Sequence, residues 1–104
     1  MAKIKAESKV FLGGDVYSSL EEYTQRMQDI LPQDISIINL ERAGLLQIDQ
    51  ELLENGTVIR QTRIFANQEV FDVWKENLEK RRTHFIKATG FEVIEGPVFT
   101  ELPD

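Results

Sequence analysis

Thr62-Arg63-Ile64-Phe65-Ala66-Asn67-Gln68-Glu69-Val70-Phe71-Asp72-Val73-Trp74, continued by Lys75 to His84, is the stretch whose reading decides the fold. It reads as the end of a strand, a capped turn, and a helix that carries the only Trp and the only His of the chain. Phe71, Trp74, Leu78 and Phe85 recur at spacings of three, four and seven, so they share one stripe of that helix. His84 follows Trp74 by ten positions, about three turns, which puts both on one side. Asn67 suits the N-cap, and the helix is expected to run to about Thr89, with Gly90 as its C-terminal cap.

Working back from this stretch, Thr57 to Ala66 is rich in β-branched residues and reads as a strand. Glu54-Asn55-Gly56 before it is the strongest hairpin signal, because Asn-Gly readily takes the positive backbone angles a tight turn needs. The segment from Ile35 to Ile48 reads as the partner strand, with a phase shift after Ile37 that suggests a bulge and Gly44 permitting a bend. Lys3 to Leu12 alternates, with Ile4, Ala6, Ser8, Val10 and Leu12 on one face, as a half-buried strand does. After Gly13-Gly14-Asp15, a helix starts at Ser18 or Ser19, both at capping-box spacing from Glu21 and Glu22. Leu20, Tyr23, Met27, Ile30 and Leu31 form its apolar stripe, and Pro32 ends it. Phe91 to Glu95 is a last short strand, Gly96-Pro97 bends the chain, and 98–104 is a tail with Val98 and Phe99 as anchors.

The order strand, helix, strand, strand, helix, strand predicts an α+β fold, the ferredoxin-like βαββαβ arrangement with a four-stranded antiparallel sheet and both helices on one face. Residues 1–104 are one domain on this reading, since a chain of this length with 41% hydrophobic residues supports one modest core. A sheet apolar on both faces needs its second face covered. The expected cover is a second copy, giving a homodimer in which two sheets close an α/β barrel and the tail reaches the partner.

Composition narrows the function classes. The net charge of -6 argues against unspecific binding to nucleic acid. No apolar run is long enough to span a membrane, and the N-terminus lacks the apolar block of a signal peptide. Zero cysteines exclude disulfides and thiolate sites, and together these features suggest a cytoplasmic protein. Lys80-Arg81-Arg82 follows Glu76 and Glu79 and reads as a solvated face that complements the helix dipole. No paired acids, Ser-His-Asp order, phosphate loop or metal-ligating set emerges.

The run Phe65, Asn67 to Glu69, Phe71, Trp74 and His84 resembles the antibiotic-biosynthesis-monooxygenase superfamily of dimeric α/β-barrel proteins. The resemblance covers the whole order of elements, with its motif content in Arg63 to His84. It implies a small-molecule-binding protein and, in one branch, a cofactor-independent oxygenase holding a planar aromatic substrate in an apolar cavity. Trp74 would then stack on the substrate and His84 act as base or orienting donor. Phe71 and Tyr23 would supply walls, and Ser8, Asn39 or Arg63 polar contacts. The haem-degrading branch has a Trp and a His on the second helix, as Trp74 and His84 are here. Its first-strand Asn falls at Ser8, and the connection from His84 to Phe91 is shorter than in those enzymes, so haem is the less favoured cofactor. From the residues alone, Trp74 suits a core position and His84 a helix C-terminus equally well, as in a non-enzymatic dimerisation or binding module.

Overall fold

In the computed structural model, residues 3–31 and 35–103 are described. The elements are β1 (Lys3–Phe11), α1 (Leu20–Ile30), α2 (Ile35–Arg42), β2 (Leu46–Leu53), β3 (Val58–Phe65), α3 (Gln68–Glu76), α4 (Leu78–Thr89) and β4 (Glu92–Leu102). The strands form one sheet in the order β2-β3-β1-β4, and each neighbouring pair is antiparallel. This is the ferredoxin-like α+β arrangement the element order predicts, with one helix added to the first crossover and the second helix broken in two.

The capping signals hold. Ser19 accepts a hydrogen bond from the Glu22 N–H at 3.1 Å, and Asn67 Oδ1 accepts one from the Val70 N–H at 2.9 Å. Gly90 closes α4 in the left-handed conformation. Pro32, expected to stop α1, lies outside the described residues.

The expected strand from Ile35 is a correction: Ile35–Arg42 is helical. Ile37 and Leu40, three apart, both pack on the core, a helical rather than a strand spacing. Gly44 is not a bend within a strand but the end of α2. The Leu45 N–H donates to Leu40 O at 2.9 Å and the Gly44 N–H to Glu41 O at 3.1 Å, with Gly44 at φ 73. These two bonds define a Schellman cap, and Leu45 joins Leu40 against the core. The single long helix is corrected too. Asn77 leaves helical geometry at φ -108, ψ 9, and its N–H turns back to Trp74 O, separating α3 from α4.

The tail is also not a tail. Val98 to Leu102 pairs with Glu7 to Lys3, so β4 continues through Gly96-Pro97. Ser8 alone lies on β1 between Glu7 and Lys9, against Gly96 and Pro97 between their partners on β4, which is the bulge. The sheet is not apolar on both faces either. Away from the helices, Lys5 pairs with Glu7 at 3.2 Å, Lys9 with Glu95 at 3.5 Å, and Arg60 with Glu51.

On the helical face the core is split. Ile4, Leu46, Phe65, Phe71 and Trp74 form one buried cluster, while Val10, Leu12, Tyr17, Tyr23, Ile59 and Phe91 form another. The register explains the division. In rows across the sheet, β2, β3 and β1 contribute Leu46, Phe65 and Ile4 at one end and Leu52, Ile59 and Val10 at the other. The next row is Ile48, Arg63 and Ala6, of which Ala6 belongs to the first cluster and Ile48 packs on it, and then come Gln50, Gln61 and Ser8. Polar and small side chains in mid-sheet leave the two clusters unjoined.

Candidate functional site

The gap between the clusters is a cavity of about 680 Å³, within the range of small-molecule sites. Its floor is the polar middle of the sheet: Ser8 of β1, Gln61 and Arg63 of β3. Trp74, Ile48 and Leu78 bound one end; Val10, Phe85 and Val93 bound the other. The far wall is α4, none of whose residues is buried. Its sequence, with Lys80, Arg81, Arg82 and Lys87, offers too little apolar surface to be drawn down onto the sheet. α4 therefore roofs a space instead of filling it.

Of the residues singled out in the sequence, Ser8, Arg63, Trp74 and His84 all line this cavity. Phe71, Tyr23 and Asn39 do not. Phe71 is a core residue, 5.4 Å from Phe65 and 5.2 Å from Phe99 between ring centroids. Asn39 is exposed on α2. Tyr23 is 1% exposed in the second cluster, edge-on to Tyr17 at 5.5 Å, and its hydroxyl accepts from Gln61 Nε2 at 3.4 Å. Gln61 is the residue sequence reasoning missed, along with Arg81 and Arg82, read as a solvated face yet lining the cavity. The available signal was alternation, since Gln61 and Arg63 fall in phase with buried Ile59 and Phe65 on a central strand.

Arg63 has an unusual setting. Its Cζ stands 5.7 Å from the centre of the Trp74 ring, a cation–π contact. Among the described residues it makes no ion pair or hydrogen bond. Burial pushes its pKa down, opposed by Tyr23, reinforced by Arg81 and opposed again by Glu41. A guanidinium stays charged under such a shift, so the shift registers desolvation. Trp74 is 6% exposed, packed among Phe65, Phe71 and Phe99 in tilted and edge-on contacts with one side on the cavity. His84 is exposed at the rim.

Burial also pushes the Tyr23 phenol up to about 12, opposed by Arg63, reinforced by Tyr17 and opposed again by the Gln61 hydrogen bond. The folded pKa lies above the unfolded value of 10.0, so the contribution to stability is intact below pH 10 and is lost as pH rises through about 12. Chemical denaturation across that window should show a fall of about 2–3 kcal/mol, and Tyr23→Phe should flatten it. An unchanged slope in the variant would mean another group is responsible.

The fold and cavity together define a ferredoxin-like domain with an apolar, cation-bearing pocket between sheet and helices. The chain matches no family model, and neither a curated protein nor a solved structure is similar enough to it to count as a match. No helix among the described residues is long and apolar enough to cross a membrane.

Proposed function

We propose that the chain is a small-molecule-binding protein whose ligand is a planar, largely apolar molecule held between the two core clusters. The observation that carries this reading is the cavity of about 680 Å³, with Trp74 and Phe85 at opposite ends and Ser8, Gln61 and Arg63 on the floor between them. Such a site combines apolar walls with a few polar groups to fix orientation. Binding is better supported than turnover. A base needs a held geometry, whereas His84 is exposed and makes no hydrogen bond among the described residues that would orient its ring. The Tyr23 phenol, with a pKa of about 12, stays protonated at neutral pH. An oxygenase role rests on His84 alone. Haem is the less favoured ligand, since the His84 imidazole that would ligate its iron lies at the exposed rim of the cavity and not between its apolar ends.

The test is a titration with the neutral dye N-phenylnaphthylamine, following dye emission and quenching of Trp74 together. Saturable binding with quenching is expected in the native protein. Ser8→Phe, which projects a ring from the floor, should weaken it by about tenfold or more, equivalent to about 1.4 kcal/mol, with the far-ultraviolet circular dichroism unchanged. Absence of saturable binding, or equal binding by a folded Ser8→Phe, would contradict the proposal.

A further inference from the structure

Among the described residues, the charged side chains that line the cavity are all of one sign. Arg63, Arg81 and Arg82 face it, and among the described residues no Asp or Glu does, in a chain whose net charge is -6. Arg63 is the most deeply placed. It belongs to a central strand, in register between Ala6 of β1 and Ile48 of β2, beneath the Trp74 ring. Its guanidinium is half-buried at the cavity floor, with a π face beside it and no acceptor from the described residues, so it keeps donor capacity toward the cavity. Its planar donor fork is suited to two oxygens of one anionic group. Glu41 acts on it electrostatically but makes no ion pair with it.

We infer that the ligand is an organic acid, with an anionic head taken by the Arg63 guanidinium and an apolar body lying along Trp74, Ile48, Val10 and Phe85. This deepens the binding proposal and depends on it. Trp74 has two roles in this arrangement: its face holds Arg63 by cation–π attraction, and its edge and neighbours bound the apolar body. Arg82 on α4, at the opposite wall, adds positive potential where the acid enters.

The experiment compares two dyes with the same aromatic skeleton on the native protein: anilinonaphthalenesulfonate, which carries an anionic group, and neutral N-phenylnaphthylamine. The acid is expected to bind at least about tenfold more tightly, the size of one charge-assisted hydrogen-bonded pair. Arg63→Met, which keeps the unbranched apolar stem but removes the guanidinium, should remove that preference while leaving the neutral dye bound. Equal affinities for the two dyes in the native protein would overturn the acid proposal and leave the cavity reading standing. Failure of both dyes to bind would overturn both. A preference for the acid that survives Arg63→Met in a folded variant would place the anion elsewhere and overturn the role of Arg63. Because the first comparison uses the unaltered chain, it decides the matter even where the variant does not fold.

Discussion

Trp74→Ala is expected to cost about 3–5 kcal/mol and to lower the melting temperature by about 12 °C or more. The indole is the hinge of one core cluster: its ring centroid lies 5.1 Å from Phe65 and 6.3 Å from both Phe71 and Phe99. It is also the face over which Arg63 sits. Removing it loses the transfer energy of the largest side chain and enlarges a cavity the surroundings do not collapse to fill. It also leaves the half-buried Arg63 guanidinium with no aromatic partner. The loss should therefore exceed that of Trp74→Phe, which keeps a ring in the cluster. A thermal melt followed by circular dichroism reads both variants. A cost for Trp74→Ala below about 1 kcal/mol would place it among ordinary surface changes and contradict the packing described above.

Gly56→Ala is expected to cost about 2–4 kcal/mol although it adds one methyl group. Glu54, Asn55 and Gly56 hold φ values of 50, 56 and 87, so the β2–β3 turn is a run of left-handed residues. At Gly56 a Cβ would run into the backbone carbonyl oxygen of Tyr17. That contact is part of a docking interaction, since the Tyr17 N–H donates to Gly56 O at 3.0 Å and the Leu12 N–H to Thr57 O at 2.9 Å. Backbone cannot rotate aside as a side chain does, so the turn must move away from the segment that carries Leu12 and Tyr17 into the second cluster. Gly14→Ala is the control: φ is 92 but no atom lies within 4 Å of the added carbon. Its cost should be that of the backbone conformation alone, about 1 kcal/mol. Equal losses at the two glycines, by urea denaturation, would show that the Tyr17 contact is unimportant.

Much of the architecture was legible because local signals were strong and agreed with each other. Alternation in β1, the caps at Ser19, Asn67 and Gly90, and the Asn55-Gly56 turn all say the same thing as the sheet order. α2 was illegible for an identifiable reason: Ile35, Ile37 and Ile38 are β-branched and favour a strand locally, while the Ile37–Leu40 pair earns its burial only as a helix. Gly44 signalled the change, but a glycine within an apolar run reads equally as a strand bend or a helix cap until its hydrogen bonds are seen. The break at Asn77 was hidden because the apolar stripe of Phe71, Trp74, Leu78 and Phe85 runs through it. β4 was cut short because Gly96-Pro97 looks like an end, and a bulge absorbs it without ending the ladder. For the site, Ser8, Arg63, Trp74 and His84 were found by residue type, which is why Phe71 and Asn39 came with them. Gln61 could be found only by asking which polar residues occupy the buried phase of a central strand.

The most direct test is a heteronuclear NMR titration of the native chain with N-phenylnaphthylamine. Perturbed resonances should cluster on the Trp74 and Arg63 side chains, the Ile48 and Val10 methyl groups and the amides of Ser8 and Gln61, and intermolecular Overhauser contacts should reach both Trp74 and Phe85. Perturbations confined to Ile94 and Val98, exposed on the edge strand β4, with none at Trp74 or Val10, would contradict a ligand site between sheet and helices.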